Sequence, residues 1–182
     1  KPLLRIKGTP IIEKIILNFR KQGFKNFIIS VNYLGHKIKK YLGKGERLKV
    51  NIDYIDEKKY LGTAGSLSLI DYKKTLFPII VTNSDLISEI DYYNLINYHN
   101  KKKSDLTICG KNKLFKMPYG EILQKYEKVN KIIEKPSIFH LVNAGVYVLN
   151  KNILKDIKKN KRLMMNEYIA QQIKKNKKVF CY

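Results

Sequence analysis

Phe77-Pro78-Ile79-Ile80-Val81-Thr82-Asn83-Ser84-Asp85 is an apolar run that stops abruptly in three small polar residues. A short stretch rich in Ile and Val, closed by turn formers, reads as a strand buried on both faces. Strands of this kind belong to open α/β sheets, where ligands bind in the crevice beyond the carboxyl ends. Asp85 therefore stands where a carboxylate can hold a divalent cation against a phosphate. The competing reading is an Asp that caps the next helix or turn. The pattern alone leaves both open.

Upstream of this strand the periodicities alternate. Thr9-Pro10 suits a helix start, with a capping hydroxyl ahead of a Pro at the first helical position. Ile12, Ile15, Ile16 and Phe19 then line one face, and Gly23 ends the helix. Residues 27–31 form a short buried strand, 37–42 a basic helix closed by Gly43, and 50–54 a strand with one polar face. The order α-β-α-β marks a layered sheet with crossover helices. Leu61-Gly62-Thr63-Ala64-Gly65 follows, a Gly-rich turn opening a helix of about ten residues. Such a turn leaves backbone N–H groups free to meet an anion or a base edge, and loop flexibility is its plainer explanation.

Downstream, residues 91–103 read as a helix and 105–109 as a strand. The segments 119–123 and 129–133 read as a hairpin turning around Glu127-Lys128-Val129-Asn130. Glu134-Lys135-Pro136 comes next, with an exposed ion pair as its plain reading. A strand over 141–149, helices near 151–158 and 165–175, and a strand from Lys178 complete the chain. No internal repeat, low-complexity segment or linker interrupts it, so residues 1–182 read as a single domain, large enough to bury a core. Both ends read as cuts: the chain opens on Lys1 and closes within a strand at Tyr182.

The formal charge of +22 suits an anionic substrate and raises the question of nucleic acid. The lysines lie in scattered short runs at 37–40, 101–103, 158–161 and 174–178, without a basic arm or aromatic-basic motif. Neither a nucleic-acid nor a membrane partner is therefore expected. No apolar run approaches the roughly 20 residues that span a bilayer. Cys109 and Cys181 lack metal-ligand spacing and read as two thiols of a reducing, cytoplasmic compartment. His36, His99 and His140 read as structural or surface residues.

Lys1-Pro2-Leu3-Leu4, Leu61-Gly62-Thr63-Ala64-Gly65, Asn83-Ser84-Asp85, Tyr119-Gly120, Glu134-Lys135-Pro136 and Asn143-Ala144-Gly145 occur in that order. Together they resemble the sugar-phosphate nucleotidylyltransferases, which make nucleoside-diphosphate sugars from a nucleoside triphosphate and a sugar 1-phosphate. The resemblance covers essentially the whole chain. It implies a Rossmann-like, three-layer α/β/α fold of the glycosyltransferase-A-like type with a mixed, mostly parallel sheet. The first central strand is missing from these residues, which leaves two neighbouring edges unpaired. The resemblance also implies roles for single residues. Asp85 would hold Mg2+, Lys1 would touch the reacting phosphates, and Lys135 would bind the phosphate of the sugar 1-phosphate. Glu134, Asn143 and the backbone of Gly120 would form the sugar pocket. Gly62 and Thr63 would line the base, with a side chain at position 62 colliding with the ring.

Leu-Gly-Thr-Ala-Gly and Val-Asn-Ala-Gly-Val-Tyr look most like the hexose-1-phosphate guanylyltransferase branch, which favours GTP; a homo-oligomer is compatible with it. Three departures stand out. The family's Gly-x-Gly-Thr-Arg phosphate loop and its second metal-binding Asp are not among these residues, and Ser84 replaces the commoner Gly. The 182 residues by themselves are thus expected to be unstable and inactive. The alternative reading is a non-catalytic homologue that binds sugar nucleotides and regulates a partner.

Overall fold

The computed structural model describes residues 1–182. The elements in chain order are β1 (Arg5–Ile6), β2 (Thr9–Pro10), α1 (Ile11–Lys21), β3 (Asn26–Val31), α2 (Gly35–Leu42), β4 (Asn51–Asp56), α3 (Gly62–Gly65) and β5 (Ile79–Thr82). They continue with α4 (Tyr92–Lys101), β6 (Leu106–Lys116), β7 (Glu121–Lys125), β8 (Lys128–Ile133), β9 (Ser137–Leu149), α5 (Lys151–Leu154), α6 (Met165–Lys174) and β10 (Val179–Cys181). Two compact units result, one of residues 1–108 and 145–182, the other Cys109–Ala144.

In the larger unit the main sheet runs β10-β6-β9-β5, and β3 and β4 form a separate parallel pair. β10 is parallel to β6, whereas β5 is antiparallel to β9, with Thr82 opposite Val146 and Ile79 opposite Leu149. The sheet is therefore mixed. Neighbouring residues of β6 show that it is covered on both sides. Thr107 bonds His99 of α4, while Leu106 packs into one cluster with Met165, Tyr168 and Ile169 of α6. Consecutive strand residues point to opposite faces, so α4 and α6 lie on opposite sides of the sheet. This is the three-layer α/β/α arrangement expected.

The first cluster centres on Leu106, Leu149, Ile153, Leu154 and Tyr168, all essentially inaccessible. Each fully buried aliphatic side chain there contributes about 1.5–3 kcal/mol. The Tyr168 hydroxyl donates to the Ile153 carbonyl at 2.8 Å, and burial pushes its pKa well up. A second cluster joins Ile12 and Ile16 of α1 to Leu42, Leu48, Val50 and Ile52. Glu13, on the same helix, accepts two hydrogen bonds from Arg47 and one from Tyr41. Arg47 holds its carboxyl below the usual carboxylate range despite the opposing effect of burial.

β5 departs from the expected strand buried on both faces: all four of its residues are half-buried. It is an edge, paired with β9 alone, and β3 and β4 likewise have one partner each. Each of these ladders therefore presents an open edge.

Local differences have local causes. Thr9 caps nothing, because it pairs with Ile6 in the β1–β2 ladder and α1 starts without a side-chain cap. The helix expected after the Gly-rich turn is one α turn and a 3-10 turn over Ser66–Leu69, after which Ile70 is extended. Two glycines and two serines in seven residues give it little helix propensity. The β7–β8 hairpin turns at Tyr126-Glu127, one residue ahead of the expected turn. Both residues have positive φ (49° and 64°), as tight hairpin turns demand, without the Asn or Gly that usually announces one. Cys109 is buried and Cys181 exposed, and no disulfide joins them.

Candidate active site

At the carboxyl end of β5 the two readings of Asp85 separate. The next helix, α4, begins at Tyr92, and its cap is Asp91, whose carboxylate accepts the Asn94 N–H at 2.9 Å. The turn after β5 is closed by backbone, Leu86 N–H to the Asn83 carbonyl. Asp85 is exposed and its side chain makes no hydrogen bond or ion pair. A carboxylate that caps nothing is free for a ligand.

No group of three or more His, Cys, Asp or Glu side chains converges anywhere in the chain. Asp85 therefore belongs to no such cluster, and would offer a metal one carboxylate. That fits magnesium, which commonly takes one or two carboxylates and completes its octahedron with substrate phosphates and water.

The β5–β9 ladder also places two of the sequence motifs side by side. Gly145 (φ +73°) lies beyond the Thr82–Val146 pair, and a Cβ there would come 3.0 Å from the Asn83 amide nitrogen. A residue without a side chain is needed for Asn83, and hence the loop carrying Asp85, to seat against β9. Lys1, in the same unit, is exposed, and its carbonyl accepts the Leu4 N–H.

Gly62 and Thr63 form a second group, and its chemistry differs from the expectation. Gly62 is buried at φ +79°, and a Cβ on it would meet the Leu163 carbonyl oxygen at 2.5 Å. The space beside its Cα is filled by protein. The Ala64 and Gly65 N–H groups both donate to that same carbonyl (3.0 and 3.2 Å), so they are not the free anion donors expected. The Leu163 N–H returns a bond to Leu61, and the Thr63 hydroxyl accepts the Met165 N–H at 2.8 Å. Thr63 thereby supplies the start of α6 with a capping oxygen, while its own proton stays available to donate. Glu57 anchors the other side, accepting from the Leu61 N–H and the Ser30 hydroxyl.

Leu163, Met165 and Glu57 were not read as site residues from sequence. One signal was present: Met164 precedes α6 with no Ser, Thr, Asp or Asn to cap it, so the missing oxygen had to come from elsewhere.

The smaller unit carries the third group. A Cβ on Gly120 would lie 3.2 Å from Glu134 Oε2, so the bare glycine makes room for that carboxylate. Glu134 and Lys135 are both exposed and, contrary to the plain reading, make no ion pair with each other. Lys135 has φ +44° immediately before Pro136, a conformation costing of order 1–3 kcal/mol in a non-glycine residue. Packing does not account for this conformation at an exposed lysine. Asn143 lies on the part of β9 in this unit, exposed.

The mixed sheet with helices on both sides and an acidic residue beyond a strand end places the chain in the three-layer α/β class. The model of the nucleotidyl transferase family matches residues 1–182, and the chain belongs to that family. It is 32% identical over 164 residues to a mannose-1-phosphate guanyltransferase of Yarrowia lipolytica, covering 85% of this chain and 44% of that protein. The catalytic subunit beta of mannose-1-phosphate guanylyltransferase from Dictyostelium discoideum is 31% identical over 164 residues, with coverages of 87% and 46%. The chain thus spans less than half the length of these relatives. Among solved structures, HddC from Yersinia pseudotuberculosis superimposes with a TM-score of 0.75 at 26% identity, over 100% of this chain and 79% of that one. The same protein complexed with GMP-PN gives 0.73, with coverages of 100% and 80%.

Proposed function

We propose that the polypeptide carrying this chain condenses GTP with a sugar 1-phosphate to yield a GDP-sugar and pyrophosphate for nucleotide-sugar and surface-glycan biosynthesis. The observation that carries this reading is Asp85, an exposed carboxylate at the end of β5 without a hydrogen bond, ion pair or capping role. The guanyltransferase relatives and the guanine-nucleotide complex of HddC support GTP as the nucleotide.

A sugar-phosphate oxygen attacks the α-phosphorus in line. One P–O bond forms, the bond to the β-phosphate bridge breaks, and pyrophosphate departs with the electron pair. Two polyanions must meet, so catalysis is chiefly positioning and charge neutralisation. Magnesium, held by Asp85, would supply part of that neutralisation when bound. Lys1 would balance charge on the nucleotide phosphates, and Lys135 would hold the sugar phosphate. Glu134, in the room left by Gly120, would accept sugar hydroxyls together with Asn143. Gly62 and Thr63 would present the base-binding turn, held in place by Leu163. Two cysteines without a disulfide between them suit a cytoplasmic setting.

The test is pyrophosphate release by the full polypeptide with each nucleoside triphosphate in turn, against mannose and glucose 1-phosphates. GTP-dependent release supports the reading. Binding of GDP-sugars without release would replace it with a regulatory, non-catalytic role. For want of the Gly-x-Gly-Thr-Arg loop, these 182 residues expressed by themselves would not turn over.

A further inference from the structure

The sheet of the larger unit has two ends, and the proposed chemistry uses one. Asp85 lies beyond the carboxyl end of β5; the other end is built from four segments that hydrogen bonds and an ion pair join into one edge. The Asn150 N–H donates to the Asp105 carbonyl, and the Asp105 N–H to that of Lys178. The Tyr72 hydroxyl donates to Leu154, and Lys175 pairs with Asp156 at 2.8 Å. Residues 71–78, 101–105, 150–156 and 172–178 are therefore contiguous.

This edge carries lysines at 73–74, 101–103, 174–175 and 177–178, nearly all exposed. Its three aspartates are already engaged. Asp105 accepts from Asn152 and the Lys178 N–H, Asp156 holds Lys175, and Asp71 accepts the Lys73 N–H beside Lys74. The lysines at 101–103 and 177–178 form no ion pair within 4 Å. A phosphate-bearing substrate explains cations at the Asp85 end, not at this one.

Two exposed aliphatic side chains stand among these charges. Leu76 is 81% exposed, two residues after Lys73-Lys74, and Ile173 is 55% exposed, directly before Lys174-Lys175. Both protrude beside lysine pairs. The aromatic rings of the edge are occupied by one another and by a lysine: Tyr72 packs against Phe77, and Lys151 lies over Phe77, while Lys102 reaches back over Tyr98 and Phe180. Nucleic-acid bases need open ring faces to stack on. Cations with protruding aliphatics and no open ring face fit an anionic bilayer instead.

We propose that this edge docks the protein reversibly on an anionic phospholipid surface, the lysines meeting headgroup charge while Leu76 and Ile173 enter the interfacial layer. This departs from the absence of a membrane partner expected from composition, and it stands independently of the nucleotide reading. Charge and aliphatic insertion supply the two signals that such binding requires.

The test is co-sedimentation of the full polypeptide with vesicles of phosphatidylcholine alone and of phosphatidylcholine mixed with phosphatidylserine. Binding to the mixed vesicles only, weakening as salt is raised, is the expected result. K73Q and K74Q should each lower the partition constant about five-fold, the worth of one cation near an anionic surface. L76S should weaken vesicle binding while leaving retention on heparin unchanged, with the melting temperature of every variant confirming its fold. Equal sedimentation with both vesicle types, none with either, or an L76S protein that binds as the parent does would overturn the proposal. Single-stranded RNA displacing the protein from vesicles with no effect of L76S would assign the edge to nucleic acid instead.

Discussion

Unit for unit, the chain holds its candidate site residues in two ways. In the larger unit Asp85 extends from a strand whose neighbour β9 is inaccessible from Val146 to Leu149, beside a core of α5 and α6. In the unit Cys109–Ala144, Ile122, Val129, Ile132, Phe139 and Leu141 are all more than half exposed, and the β7–β8 ladder carries the structure. Position is enforced by packing in the first and by turn geometry in the second. Substitutions should therefore act on stability in one unit and on substrate affinity in the other.

The largest expected contrast is in the cores. Leu154→Ala should cost about 2–5 kcal/mol of unfolding free energy, since Leu154 is fully enclosed. Ile132→Ser, at a position 64% exposed, should stay within about 0.5 kcal/mol. Urea denaturation of the two variants of the full polypeptide measures the difference; equal losses would mean the ribbon buries what its exposure denies.

Two glycines sharpen the same comparison. Gly62→Ala drives a methyl into the Leu163 carbonyl at positive φ and should destabilise by about 1–3 kcal/mol, seen as a lower melting temperature. Gly120→Ala meets the end of a flexible Glu134 side chain, which can swing away. Melting should not move, while KM for the sugar 1-phosphate rises several-fold, of order 1 kcal/mol of binding. A melting change at Gly120 and none at Gly62 would invert the account.

The smallest effect is a pH dependence confined to the packed unit. His99 is enclosed beside Thr107, and desolvation lowers its pKa against the opposing pull of the Asn150 bond and Asp105. The unfolded chain, with an ordinary value near about 6.5, then binds the proton first, so stability falls as pH drops through that value. Glu13 and Asp105, held below the usual carboxylate range, lose their contributions only at more acidic pH. Denaturation midpoints at about pH 7.5 and about pH 5.5 should differ in the parent and converge in His99→Gln.

These contrasts also show what could be read from residues alone. The α-β-α-β order, the amphipathic face of α1 and the strand leading to Asp85 were legible because burial leaves a period in the sequence. The turn at Tyr126-Glu127 was not, since its positive φ falls on residues that seldom adopt it. The half-burial of β5 depends on having one neighbour rather than two, which no strand declares about itself. At the site, the candidate residues were legible as motifs, whereas their reasons were not. Gly62 is glycine because of a carbonyl about a hundred residues away, and Thr63 caps a helix equally distant in sequence. Both contacts are non-local, and neither alters the local pattern.

The central claim is that Asp85 is a ligand group rather than a cap. Isothermal titration of the full polypeptide with Mg2+ in the presence of GTP, parent against Asp85→Asn, tests it most directly. Nucleotide-dependent metal affinity should fall by at least about tenfold and turnover by on the order of 100-fold or more, with the melting temperature unchanged. Undiminished metal affinity, or a lowered melting temperature that explains the loss, would contradict it.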